Sequence, residues 1–235
     1  MPSGLLEPRP YRAAFAPALL ALIVLAFSVQ DPQRTQAPEL APPTFNAQRA
    51  LATAEQLVEN YGARESGTIE DSQTAELVQA RLTAFGFGAN GYDFEATTLS
   101  GKRSMINVVG VRPGPSDRRL VVLASRDGHA GELARTGSIE TGMLIELARV
   151  MQQRAFEHTL VLASVTGGVD GGIGAEKLAE GLRGPVDGVI VLRNVGAIAA
   201  ATPVLNVYDS RLEPDPRFVR SVERVAALEL RKQPE

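Results

Sequence analysis

Arg118-Arg-Leu-Val-Val-Leu-Ala-Ser125, Gly142-Met-Leu-Ile-Glu-Leu-Ala-Arg-Val-Met151, His158-Thr-Leu-Val-Leu-Ala-Ser-Val165, Thr166-Gly-Gly-Val-Asp-Gly-Gly-Ile-Gly174 and Pro185-Val-Asp-Gly-Val-Ile-Val-Leu192 follow one another along the chain and decide its fold. The first, third and fifth are short, continuously apolar runs of the kind a strand shows when both its faces are buried. The second has helical spacing. The fourth is a Gly-rich loop that leads into a short helix predicted over Ala175 to Leu182. Strand, helix, strand, helix, strand with short connections predicts right-handed crossovers and parallel pairing, with helices on both faces of the sheet. Ligands bind such sheets at the carboxyl ends of the strands. Here those ends are Ser125-Arg-Asp127, Thr166 to Gly174 and Arg193-Asn-Val195.

Upstream, Leu51, Ala54, Leu57, Val58 and Tyr61 mark an amphipathic helix that begins near Phe45 and is closed by Gly62. A second helix is predicted from Ser72 to Phe85 and ended by Gly86. Tyr92 to Leu99 and Arg103 to Val111 flank Ser100-Gly-Lys102, which is a hairpin signal. The expected architecture is a three-layer α/β domain over residues 45–235, with a mixed, mostly parallel sheet. Beyond Gly196, Pro203-Val-Leu-Asn-Val-Tyr208 reads as a further strand. Asp215-Pro216 then has the chemistry of a helix start, for a helix running to about Lys232.

The N-terminus carries a separate message. Residues 1–12 include Arg9 and Arg12, and Ala13 to Val29 is 17 residues without a charge. At about 1.5 Å per residue such a helix nearly spans a ~30 Å hydrocarbon core. Residues 13–30 therefore read as a single membrane-spanning signal anchor, and the flanking arginines place the following domain outside the cytoplasm. A cleaved signal peptide competes with this reading, because Ala26-Phe-Ser28 is small-x-small, and a buried core helix is a third alternative. Residues 31–44 hold Pro32, Pro38, Pro42 and Pro43, as an extended tether would.

Composition bounds the chemistry. The chain has 235 residues, is 44% hydrophobic, and carries a net charge of -3, which gives no electrostatic case for nucleic acid. With no cysteine and two histidines it can form neither disulfides nor a cysteine-ligated zinc site.

Ile106-Asn-Val-Val-Gly-Val-Arg-Pro-Gly114, then Leu120 to Asp127, then Thr141-Gly-Met-Leu-Ile-Glu-Leu-Ala-Arg-Val150, together with Tyr61-Gly-Ala-Arg-Glu-Ser-Gly67, resemble the dizinc aminopeptidases of metallopeptidase family 28. Glutamate carboxypeptidase belongs to that family, and the transferrin receptor ectodomain shares its fold. The resemblance runs from about residue 45 to 196. It implies a site with two zinc ions about 3.5 to 4 Å apart and a Glu as general base. It also implies that the ligands have been substituted. The family's His-x-Asp falls on Ser125-Arg-Asp127, leaving only Asp127, which in the family supports a ligand rather than being one. The bridging Asp, placed before the helix, falls on Ser138. The Glu-Glu pair falls on Gly168 and Val169, and the following Asp on Arg193.

A neutral Ser or Gly cannot replace an anionic or imidazole ligand, and Arg193 would place positive charge beside a metal. The resemblance therefore implies the fold without the activity: a binding or scaffolding homologue with no catalytic residue and no cofactor, anchored in the membrane and open to a protein or peptide partner. The rival expectation is an aminopeptidase with a reduced metal site built from Asp127, His129 and Asp170, with zinc as cofactor. A third reading takes the Gly-rich loop as a phosphate cradle. Ser125 and Ser138 lack the His/Asp partners of a serine nucleophile.

Overall fold

The chain divides into two units, Met1–Pro42 and Pro43–Glu235. The structure, a computed structural model, describes residues 44–98, 100–129 and 131–193, with Arg220 and Arg224. The predicted anchor at 13–30, the strand at 203–208 and all but two residues of the helix at 215–232 lie outside the described residues. Among the described residues no helix is long and apolar enough to cross a membrane.

The elements in order are α1 (Ala47–Tyr61), α2 (Ile69–Ala84), β1 (Gly88–Thr98), β2 (Gly101–Arg112), β3 (Ser116–Ser125), α3 (Glu132–Met151), β4 (His158–Val165), α4 (Ile173–Gly181) and β5 (Val186–Leu192). They build one sheet in the order β1-β2-β4-β3-β5. β1 and β2 form the predicted hairpin, closed at Thr98↔Gly101. β2 runs antiparallel to β4, and β3 is parallel to both β4 and β5. The expected mixed sheet is present, and both faces carry helices.

Strand alternation sorts the core into two layers. Val108, Val122, Ala124, Leu160 and Leu162 point to one face, where Ala75, Val78 and Leu82 of α2 and Leu144, Ile145 and Ala148 of α3 cover them. Val109, Val121, Leu123, Val161, Ala163 and Val165 point to the other, where α4 contributes Leu178. α1 lies on α3 and buries Ala50, Ala54 and Leu57. The two helices approach so closely at Gly142 that a Cβ there would stand 2.3 Å from the Ala50 carbonyl oxygen, so this position tolerates nothing larger than glycine.

Two helix starts differ from the sequence reading. α2 begins at Ile69 rather than Ser72. Thr68 caps it by accepting from the Asp71 amide (3.3 Å), while Asp71 accepts from the Gly67 amide (3.1 Å). This reciprocal arrangement resembles a capping box. α3 begins at Glu132, ten residues before Gly142. Its first half carries the buried polar residues Ser138, Glu140 and Thr141, which hide the helical period. Ser138 therefore sits inside α3, not before it.

Candidate functional site at the strand ends

The carboxyl ends of β3 and β4 meet the α1–α2 connection and the β4–α4 loop. Arg64 and Gly128 exchange both backbone hydrogen bonds, at 2.9 and 2.8 Å, which pins the α1–α2 connection against the end of β3. Four charged side chains are enclosed there: Arg64, Asp71 and Arg126 are fully buried and Asp127 is 3% exposed. Buried ionic groups persist only when they are paired or hydrogen-bonded; Arg126 and Asp71 are paired with each other, and Arg64 and Asp127 are held by hydrogen bonds.

Arg126 faces Asp71. Its Nε lies 2.8 Å from Asp71 Oδ1, and its Nη2 donates to Asp71 Oδ2 at 3.3 Å. Nη1 also donates to the Ser164 carbonyl (3.0 Å), and Nη2 to the Ile106 carbonyl. Asp71 Oδ1 has no donor in hydrogen-bond geometry, so its pairing with Arg126 Nε is electrostatic. Asp71 Oδ2 accepts in addition from Thr166 Oγ1 (2.8 Å). Arg64 spends its guanidinium on main-chain carbonyls, with Nε to Arg126 (3.0 Å), Nη1 to Gly62 (2.9 Å) and Nη2 to Ala134 (2.7 Å). Nη2 also donates to Ser138 Oγ at 2.7 Å. Burial lowers the Arg64 pKa from its ordinary value, opposed by the charges of Asp71 and Asp127.

Asp127 is held from the opposite side. Oδ1 accepts from the Gly168 amide (3.0 Å), and Oδ2 from the Val169 amide (3.1 Å) and Ser66 Oγ (3.3 Å). Burial raises its pKa above the usual carboxylate value, against the lowering effect of those two amides. The loop is further fixed by Asn107, whose Oδ1 accepts from the Thr166 amide (3.2 Å) while its Nδ2 donates to the Gly174 carbonyl (2.7 Å).

The glycines of the loop have packing reasons. A Cβ on Gly168 would stand 2.4 Å from Ser125 Oγ, and one on Gly174 would stand 2.0 Å from the Thr166 carbonyl oxygen. The loop amides at 168 and 169 already hold an internal carboxylate, which argues against the phosphate-cradle reading. Ser138 Oγ accepts from Arg64 and donates to the Ala134 carbonyl at 2.9 Å, so it has no base beside it.

Of the residues picked from sequence, Ser125, Asp127, Ser138, Gly168 and Val169 come together at this end of the sheet. Arg193 is exposed just past the end of β5. The reduced metal set does not assemble. Asp127 is committed to the loop amides, and the exposed His129 turns its Nδ1 toward Glu65 Oε1 at 3.4 Å. Among the described residues no three His, Asp or Glu side chains converge in a way that could hold a metal ion, Asp170 included. Sequence reasoning missed Asp71 and Asn107 as members of the cluster, and named Arg126 and Thr166 only as parts of the strand ends. The one available signal was the spacing Thr68-x-x-Asp71 before an apolar-periodic run.

No family model matches the sequence and no curated protein matches it. Solved structures do match. Porphyromonas gingivalis glutaminyl cyclase is 20% identical, with a TM-score of 0.56, over 63% of this chain and 58% of its own. A putative zinc-dependent exopeptidase from Bacteroides vulgatus is 18% identical, with a TM-score of 0.55, over 63% and 60%. Fimbriiglobus ruber glutaminyl cyclase is 19% identical, also at 0.55, over 66% and 63%. The chain has the zinc-exopeptidase and glutaminyl cyclase fold. At these identities the likeness concerns fold and carries no activity with it. The matched part spans less than two thirds of each of these neighbours.

The exopeptidase fold raises the question of zinc, and the residues gathered at these strand ends do not fit it. Ser125 and Ser138 are neutral hydroxyls. Gly168 and Val169 present N–H donors, and Arg64 sets its guanidinium against Ser138 Oγ, where a divalent ion requires lone pairs or negative charge. Of the carboxyls in this cluster, Asp127 has both oxygens engaged by the loop amides, and Asp71 faces Arg126 and Thr166.

Proposed function

We propose that this protein is a membrane-anchored, extracytoplasmic member of the exopeptidase fold that works as a binding or scaffolding module without metal catalysis. The observation that carries the reading is the capture of both Asp127 oxygens by the Gly168 and Val169 amides, with Ser138 held by Arg64. These contacts use the strand-end groups for internal cohesion and leave no oriented acceptor set for a cation. The apolar segment 13–29 after Arg9 and Arg12 supports the anchored topology. A partner would be a protein or peptide, since a net charge of -3 offers nothing to nucleic acid.

The test is elemental analysis of the full chain, purified in mild detergent, before and after incubation with excess zinc. Peptidase and N-terminal glutamine cyclisation assays run alongside it. The expected result is no retained zinc and no turnover above buffer. A stoichiometry approaching about two zinc ions per chain together with turnover would sink the proposal and establish a hydrolase or cyclase instead.

A further inference from the structure

Charge is spread unevenly over the domain. β3, β4 and β5 run parallel and β2 runs against β4, so the amino ends of three strands lie beside the carboxyl end of the fourth. α2, α3 and α4 finish at this same end, since they lead into the starts of β1, β4 and β5. It is the end opposite to the buried cluster. Six arginines collect there: Arg81 in the last turn of α2, Arg112 at the end of β2, Arg118 and Arg119 at the start of β3, Arg154 before β4 and Arg183 before β5. They outnumber the carboxylates of the same turns, Asp117, Glu157 and Asp187, while the neighbouring pairs Arg149–Glu146 and Lys177–Glu180 cancel. This end is therefore basic on a chain whose net charge is -3.

Most of these arginines are open to an external partner. Arg118 is taken by Asp187, and Arg112 donates to the Met151 and Gln152 carbonyls that close α3. Arg81, Arg119, Arg154 and Arg183 make no ion pair with a described carboxylate. Arg81, Arg154 and Arg183 are exposed, and Arg119 lies beside the last of them, because a Cβ on Gly184 would stand 4.0 Å from its Nε. The negative ends of the three helices fade within their last turn, whereas an exposed guanidinium reaches past it.

A second observation is where the chain enters the domain. Thr44, the first described residue, offers its carbonyl to Arg149 Nη2 at 2.9 Å in the last turn of α3. Thr44 thus sits at the arginine-bearing end. The residues that precede it include the charge-free run Ala13 to Val29.

We propose that this end docks on a membrane surface bearing anionic lipid headgroups. The membrane as occupant rests on the anchored reading above; the charge of the docking face stands without it. Headgroup phosphates form a plane of acceptors that guanidiniums can engage bidentately, and the attraction acts within a Debye length, roughly 8 Å at physiological salt. A domain joined to the membrane at its basic end meets that surface at a high effective concentration, an advantage that a dissolved polyanion lacks.

The chain contains no cysteine, so Gln153→Cys beside Arg154, or Thr97→Cys near the tip of the β1–β2 hairpin, gives the full chain one labelling site. Both positions are exposed. A fluorophore at each is quenched by spin-labelled headgroups in phosphatidylcholine vesicles made with or without phosphatidylglycerol, and flotation reports whether the chain joins the vesicles at all. The expected result is quenching at position 153 only with phosphatidylglycerol, lost in high salt, and none at position 97. Arg154→Gln and Arg183→Gln each lower the ratio of docked to undocked domain by about fivefold, and Lys102→Gln leaves it unchanged. Both arginines are exposed and unpaired, so these variants keep the fold.

Equal quenching at position 153 in the two kinds of vesicle overturns the proposal. So does equal quenching at 97 and 153, or a ratio that ignores both arginines. Tighter binding of a single-stranded oligonucleotide than of anionic vesicles assigns this end to nucleic acid and overturns it too. Flotation separates docking from anchoring. A chain that floats with neutral vesicles but shows no lipid-dependent quenching keeps the anchor and loses the docking, and one that floats only with phosphatidylglycerol keeps the docking and loses the anchor.

Discussion

The ends of β3 and β4 and the neighbouring strand β5 belong to one sheet yet are built in opposite ways. At the strand ends, two arginines and two aspartates are buried and nearly every polar atom has a partner within the fold. On β5, four apolar side chains face outward. In a catalyst the strand ends are where groups stay available for substrate and cation. Here the charged groups at the strand ends are bonded within the fold, and the exposed apolar surface lies one strand away. An enzyme-like fold is thus no guide to where its reactive surface lies; the pairing state of each group is.

The largest effect comes from breaking the cluster. Arg126→Met leaves Asp71 buried without its cation, and removing one partner of a buried pair costs about 3–5 kcal/mol. Urea unfolding is expected to show a loss of that order, with Asp71→Asn combined with Arg126→Met recovering part of it. A loss below about 1 kcal/mol, the range of an exposed pair, would mean the cluster is no tighter than the surface and would dissolve the contrast.

Gly174→Ala is the next test. Its Cβ would meet the Thr166 carbonyl at 2.0 Å, whereas Gly181, in the same helix, meets nothing within 4 Å. Overpacking of this kind costs about 1–3 kcal/mol, so Gly174→Ala should lower the unfolding midpoint and Gly181→Ala should not. Equal behaviour of the two would show that the loop yields freely and is not held as the distances imply.

The smallest effects are those of pH, and the two regions of the sheet should differ in sign. Burial raises the Asp127 pKa above its unfolded value, so the native state holds its proton more tightly than the unfolded state. Its contribution is therefore most favourable below the unfolded pKa and is lost as pH rises through the folded pKa. At the other end of the strands, Asp187 is held below its ordinary value by Arg118, with His158 Nε2 at 2.9 Å adding to it. Its contribution is present above the unfolded pKa and is lost as pH falls through the folded one. Asp127→Asn should flatten the decline on the alkaline side of the carboxylate range. Asp187→Asn should remove only a slight acid-side loss, one that added salt also abolishes. Stability curves in which both changes act on the same side would contradict the assignment.

Much of the fold was legible because its signals are local. β4 was read at its full extent, and β3 and β5 to within two residues, because continuous apolar runs bounded by turns mark strands; the expected burial of both faces holds for β4 but not for β5, whose apolar residues are exposed. The hairpin followed from Ser100-Gly-Lys102. The first half of α3 was not legible, because Ser138 and Thr141 are buried polar residues, Ser138 held by Arg64 and Thr141 by the Gly137 carbonyl of its own helix, so no apolar period marks this stretch. The candidate site was legible as the strand ends that the topology predicts and as a set of positions carried by a family resemblance. Ser125, Asp127, Ser138, Gly168 and Val169 do gather there, but Asp71 and Arg126 are 55 residues apart in sequence, and no window along the chain contains both.

The sequence by itself determined the strand and helix order, the mixed sheet and the chemistry of the residues at the strand ends, because propensity, period and turn composition act over a few neighbouring residues. Only the tertiary structure decided what those residues do with one another. Whether a buried carboxyl faces a guanidinium, a pair of amides or an open cleft depends on the meeting of segments 40 to 60 residues apart, as Asp127 and Val169 do across 42 positions. The cost of burying an unpaired charge then makes that meeting the condition for the fold to hold.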